Sequence, residues 1–189
     1  MTETHLTEPP DSAAENPSHR RRWLLSAVGS AAVMAGVGYA WWRGDEPSGT
    51  DPLPGFWDLQ WDTPQGGQLQ VRAFQGKPLL INFWATWCPP CIEELPLIDA
   101  FYRENKLNGW QVLALAVDSL SPVQSFLSKN PLGFTVGLAG STGTDLSRRL
   151  GNLSGGLPFS VVIGARGTVL HRKLGRLTSG DLNQWSGLK

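Results

Sequence analysis

The sequence predicts an α/β domain. Two short, nearly uniform apolar runs, Leu79–Trp84 and Gln111–Val117, suit strands buried on both faces. Segments with helix-start signals separate and follow them. Parallel strands need such crossovers, so the alternation implies a sheet flanked by helices, with the first helices as connections.

The elements follow in order. Trp57–Trp61 and Gln68–Arg72 read as a short strand pair around the Gly66-Gly67 turn. Leu79–Trp84 is the first buried strand, and a helix starts after it near Cys88 or Pro89. Gln111–Val117 is the second buried strand. Ser121-Pro122 reads as an N-cap with proline at the first helical position, opening a helix to about Asn130. Thr135–Leu138 reads as a strand and Thr144–Leu150 as a helix. Phe159–Ile163 and Val169–Leu174 are strands joined at Arg166-Gly167. Thr178-Ser179-Gly180-Asp181 has the form of a capping box before a last helix. No internal repeat is visible.

The 189 residues divide into four stretches. Residues 1–19, rich in Thr, Glu, Pro and Ser, bury too little to order and are expected to be a disordered cytoplasmic tail. Residues 20–43 are expected to be a transmembrane signal-anchor. Arg20-Arg21-Arg22 precedes a run from Trp23 to Trp42 with no charge, and twenty residues at helical rise cross about 30 Å of hydrocarbon. Tyr39, Trp41 and Trp42 suit an interfacial belt, and the arginines stay cytoplasmic, so the rest of the chain is translocated. A core helix, a signal peptide cleaved near Gly38-Tyr39-Ala40 and a twin-arginine address at Arg21-Arg22 are the competing readings. Residues 44–55, with Pro47, Pro52 and Pro54, form a linker, and residues 56–189 form the folded domain.

Sixteen basic residues balance sixteen acidic ones, which leaves no electrostatic case for a nucleic-acid partner. The two cysteines form Cys88-Pro89-Pro90-Cys91. A pair this close cannot staple distant segments, which leaves metal ligation or redox chemistry. A structural zinc site wants four ligands, and after residue 43 only His171 joins the cysteines among sulfur and imidazole groups, so no metal or other cofactor is expected. His171 reads better as a surface strand residue. Cys88 follows a strand at a helix N-terminus, where unpaired N–H groups and the dipole favour a thiolate. Cys91 lies one turn on, placed to resolve a mixed disulfide on Cys88. Proline in the first turn costs little.

Ile81-Asn82-Phe83-Trp84-Ala85-Thr86-Trp87-Cys88-Pro89-Pro90-Cys91 resembles the signature of the TlpA/ResA-like branch of the thioredoxin superfamily. The resemblance extends over residues 52–189, through Pro96 in the helix after the cysteines and Gly155-Gly156-Leu157-Pro158-Phe159 before a strand. It implies a thioredoxin-like fold, with a central mixed sheet flanked by helices behind one N-terminal transmembrane helix. Members of this branch are membrane-anchored or exported thiol–disulfide oxidoreductases, several of which keep apocytochrome c cysteines reduced. The resemblance further implies that Pro158 is cis and faces the disulfide. The loop of Gly156, Leu157 and Pro158 would then bind an extended substrate, with Leu157 supplying the backbone groups. Trp87, Pro89 and Pro90 would border the same face. Glu94 matches an acidic residue near the cysteines whose role is proton transfer with Cys91; the alternative is a solvated Glu in the first helical turn. Glu93 reads as surface. Asn82 falls where thioredoxin itself has a buried Asp, which fits the branch. Ser121 to about Leu150 resembles the segment this branch inserts into the thioredoxin core.

The leading expectation is an enzyme that reduces protein disulfides outside the cytoplasm, at the bacterial inner membrane, with its domain facing the periplasm or exterior. Its partners would be protein disulfide substrates and a membrane protein that delivers electrons, with the membrane itself engaged through residues 23–42. An oxidase or isomerase uses the same residues in the opposite direction. A peroxidase reading rests on Thr86 before Cys88, and Trp87 and the second cysteine speak against it. Copper handling is the binding-class alternative, since Cu(I) accepts two thiolates.

Overall fold

The computed structural model describes residues 52–188. The expected tail, the expected anchor and residues 44–51 of the expected linker lie outside the described residues. Among the described residues no helix is long and apolar enough to cross a membrane.

Seven strands form one sheet in the order β2-β1-β5-β4-β3-β6-β7. They are β1 Gln60–Asp62, β2 Gln68–Gln70, β3 Leu79–Trp84, β4 Gln111–Ala116, β5 Thr135–Leu138, β6 Phe159–Ile163 and β7 Val169–Leu174. Among the described residues four α-helices accompany them: α1 Pro89–Asn105, α2 Leu120–Lys129, α3 Gly140–Arg149 and α4 Ser179–Ser186. β3, β4 and β5 run parallel, and the remaining pairings are antiparallel. This is the mixed sheet that the resemblance implies.

The near-uniform apolar runs become the buried centre because both faces of the sheet are covered. Alternate residues of β3 serve the two faces. Leu80 and Trp84 join Leu95 and Ile98 of α1, Val123 of α2 and Leu182 and Trp185 of α4 in one core. Leu79, Ile81 and Phe83 join Phe56, Trp57, Val71 and Leu146 of α3 in the other. Asn82 shares the α1 face with Leu80 and Trp84, so a polar residue is carried fully buried beneath α1. The capping box forms as expected: the Asp181 N–H donates to Thr178 Oγ1, and the Thr178 N–H donates to Asp181 Oδ2.

Several boundaries differ from the expected ones. Residues Phe56–Asp58 form a 3-10 turn, and β1 begins only at Gln60. Phe56 and Trp57 are both buried and meet edge-to-face, which a strand's alternation would not allow on one side. Likewise β2 ends at Gln70, and a 3-10 turn over Val71–Phe74 buries both Val71 and Phe74, three residues apart. α2 is entered from Ser119 rather than Ser121, which places Pro122 third in the helix, still where no backbone N–H is needed. α3 starts at Gly140, earlier than Thr144, despite its glycines and serines.

Candidate active site

β3 delivers the chain to its end at Trp84, and residues 85–88 turn it into α1. The Cys88 N–H donates to the Ala85 carbonyl (3.2 Å). Cys88 is the N-cap of α1 and Pro89 and Pro90 are its first two residues. The N–H groups of Cys91 and Ile92 donate to the Cys88 carbonyl at 3.0 and 3.2 Å. Cys88 and Cys91 are joined as a disulfide, with Cα atoms 5.3 Å apart. Cys88 keeps 5% of its surface exposed and Cys91 none. Of the two residues only Cys88 therefore keeps any surface for a partner to reach.

An N-cap side chain ordinarily accepts from the N–H of the second or third helical residue. Here the second is Pro90, which has no N–H, and the first is Pro89. Of the first three helical positions only Cys91 carries an N–H, and that N–H already donates to the Cys88 carbonyl. Pro96 sits further along, inside α1.

Glu94 is not the solvated first-turn residue of the alternative reading. It is the sixth residue of α1, one turn past Cys91, and 1% exposed. Its Oε1 accepts from Asn82 Nδ2 (2.7 Å) and its Oε2 from the Leu177 N–H (2.6 Å). The Asn82 amide also donates to Ser160 Oγ at 3.0 Å, across the register pair Asn82 and Ser160. Asn82 Oδ1 has no partner among the described residues. Burial pushes the Glu94 carboxyl from 4.5 up to about 7, against the opposing pull of the Leu177 N–H, the Asn82 amide and the Arg176 and Lys173 cations. A carboxyl in that range both holds and releases a proton near neutrality. Glu93 is exposed and pairs with Arg176.

The Leu157–Pro158 bond is cis, as the resemblance implies. Leu157 packs against the core that contains both cysteines. Gly156 is less available than expected: Asn152 Nδ2 donates to its carbonyl (2.8 Å), and its N–H donates to Ser154 Oγ (3.3 Å). The N–H and C=O of Leu157 have no such partner among the described residues, so the free backbone of this loop is at Leu157. The Pro158 carbonyl accepts from the Gly175 N–H (2.8 Å), which ties the loop to the end of β7. Leu153 of the same loop is 90% exposed, and Leu174, paired with Phe159, is 53% exposed. Trp87 is 66% exposed and Pro89 and Pro90 are exposed, so Trp87 is no packing residue. His171 is half-buried on β7 and lies against the Trp185 ring, a change from the plain surface position expected.

Three contributors escaped the sequence reading: Ser160, Leu177 and Asp118. Ser160 and Leu177 act through pairings that no local pattern reveals. Asp118 had a signal. β3 and β4 are parallel with Trp84 opposite Ala116, so two residues further on Thr86 meets Asp118. Among the described residues no group of three His, Cys, Asp or Glu gathers to hold a metal ion.

The sequence pattern of the Redoxin family matches residues 50–185. The chain is similar to the thiol-disulfide oxidoreductase ResA of Bacillus thuringiensis subsp. konkukian, 33% identical over 75 residues, which are 39% of this chain and 43% of that protein. The chain thus matches less than half the length of this curated relative. It shares its fold with a thioredoxin-family thiol:disulfide interchange protein from Chlorobium tepidum (24% identity, TM-score 0.59, 75% of this chain and 95% of that one). It shares it also with StoA from Bacillus subtilis (23% identity, TM-score 0.56, 68% and 95%). With the mixed sheet, the disulfide at the start of α1 and the cis bond at Pro158, the chain belongs to the Redoxin family, within the TlpA/ResA-like branch of the thioredoxin superfamily.

Proposed function

We propose that this protein is a membrane-tethered thiol–disulfide oxidoreductase that reduces protein disulfides outside the cytoplasm. The observation that carries the reading is the Cys88–Cys91 disulfide at the start of α1, with a little of Cys88 exposed and Cys91 fully buried. Reduced Cys88 attacks a substrate disulfide as the thiolate, forms a mixed disulfide and expels one substrate thiol. Cys91 then attacks Cys88, closing the internal disulfide and releasing the second substrate thiol. Leu157 offers its free N–H and C=O to an extended substrate segment, with Pro158, Gly156, Trp87, Pro89 and Pro90 bordering it. Glu94 takes the proton from Cys91 as it becomes the nucleophile.

What supports the reducing direction is the small number of N–H donors that the start of α1 offers a Cys88 thiolate. A strong oxidant owes its potential to a well-stabilised reduced form. Here Pro89 and Pro90 remove two helix-end donors that a Cys88 thiolate would otherwise use.

The run from Trp23 to Trp42 holds the domain at the outer face of the inner membrane. There the Cys88–Cys91 disulfide left after turnover is reduced again by a membrane protein that delivers electrons as thiols and is itself oxidised to a disulfide. Cysteine pairs of apocytochrome c, closed as disulfides before haem attachment, are the proposed substrates.

Spheroplasts carrying the reduced full chain test activity and placement together. A membrane-impermeant peptide closed across Cys-x-x-Cys-His should be opened from outside. Opening only after lysis contradicts the orientation. Failure in both settings contradicts the activity.

A further inference from the structure

Asp118 takes no part in the exchange steps above, yet it holds the segment that delivers Cys88. Its Oδ2 accepts from the Thr86 N–H at 2.9 Å and from the Thr86 hydroxyl at 2.5 Å. Its Oδ1 accepts from the Ser119 N–H at 2.7 Å, which fixes the carboxylate from its own side. Beside it the Val117 N–H donates to the Trp84 carbonyl (2.8 Å). The β3–β4 pairing is thus prolonged one step by a side chain, into the loop that precedes the cysteine. Thr86 is two residues before Cys88, a reach of at most about 7 Å.

Opening the disulfide removes the covalent link that holds Cys88 near Cys91. Cys91 stays fixed, because it is buried within α1. Cys88, outside the helix, is then placed by the hydrogen bonds of residues 84–88, and the two at Thr86 are charge-assisted.

We propose that Asp118 is a positioning residue for the Cys88–Cys91 couple: through Thr86 it holds reduced Cys88 within reach of Cys91 and so favours the disulfide form. A thiol held in place has a higher effective concentration at its partner. When Cys88 and Cys91 join, two electrons and two protons pass to the substrate disulfide, which leaves as two thiols. The clamp therefore strengthens the protein as a reductant. The inference rests on reading Cys88 and Cys91 as the exchanging pair.

The test is the equilibrium constant for closing the disulfide in the full chain, measured in dithiothreitol buffers for wild type, Asp118→Ala, Thr86→Val and Thr86→Ser. Val keeps the shape of Thr and loses the hydroxyl donor, whereas Ser keeps the donor. Asp118→Ala should lower the constant about tenfold, a potential about 30 mV higher. Thr86→Val should lower it about threefold, and Thr86→Ser should stay within about twofold of wild type. The inference is overturned if Asp118→Ala and Thr86→Val, folded by circular dichroism, both stay within about twofold of wild type. It is equally overturned if Thr86→Ser falls as far as Thr86→Val, since packing of the methyl would then explain both. If Asp118→Ala does not fold, the Thr86 pair decides alone. A wild-type couple that fails to equilibrate would instead sink the reading of the pair, whatever Asp118 does.

Discussion

A Cys91→Ser variant should accumulate a covalent adduct with its substrate, while Cys88→Ser should form none. The asymmetry follows from burial: Cys88 keeps surface at the N-cap, and Cys91 is enclosed in the first turn of α1. Without Cys91 the mixed disulfide on Cys88 has no internal nucleophile to release it. Without Cys88 no thiol reaches an external disulfide. Turnover of a disulfide substrate should fall by on the order of 10³-fold or more in either variant. Non-reducing electrophoresis of the full chain separates the two failures, since only Cys91→Ser migrates as an adduct that dithiothreitol releases. Adducts on Cys88→Ser in place of Cys91→Ser would reverse the assigned roles.

Glu94→Gln should change both the stability and the resolving step, in opposite senses above neutral pH. The folded chain holds the Glu94 proton more tightly than the unfolded chain, with the carboxyl moved from 4.5 to about 7, largely by burial. Stability attached to that proton is complete below about pH 4.5 and is lost as pH rises through about 7. The loss amounts to about 3 kcal/mol. Glu94→Gln carries no such proton, so its stability should be flat over that window. It should exceed wild type at pH 8 by up to about 3 kcal/mol and match it near pH 4.5 to within about 1 kcal/mol. The Gln oxygen can keep the Leu177 N–H; its NH₂ then stands where Glu94 Oε1 faces Asn82 Nδ2, and is satisfied once Asn82 turns its amide to present Oδ1, which has no partner among the described residues. Release of substrate from Cys88 should slow by about 10²-fold, and the step should lose its dependence on an ionisation near pH 7. Urea unfolding at several pH values and single-turnover release report the two effects. A wild-type stability that rises between pH 5 and 8, relative to Glu94→Gln, would contradict the burial account.

The parts of this site that were legible from the sequence are those fixed by local pattern. The spacing of Cys88 and Cys91 after an apolar run places one at a helix start and the other a turn further in. Thr178 and Asp181 lie three apart and cap α4 as written. The loop at Pro158 was legible only through family resemblance, because nothing local makes a proline cis. Long-range placement was not legible. Glu94 and Glu93 are adjacent and alike in sequence. One is carried under α1 onto Asn82 and the other to the surface with Arg176, and helix phase decides between them. The strand ends failed at Phe56-Trp57 and at Val71–Phe74 because each pair is drawn into the same core, which a 3-10 turn allows and a strand's alternation does not. Asp118 escaped because its partner Thr86 lies 32 residues away and is brought to it by strand register.

The measurement that bears most directly on the whole account is the reduction potential of the Cys88–Cys91 couple in the full chain, titrated against dithiothreitol and glutathione buffers. A value near about −250 mV or lower places the couple with thioredoxin-like reductants, as the reducing direction argued from the Pro89-Pro90 helix start predicts. A value near about −120 mV would make it a strong oxidant and would contradict the reducing direction assigned to it.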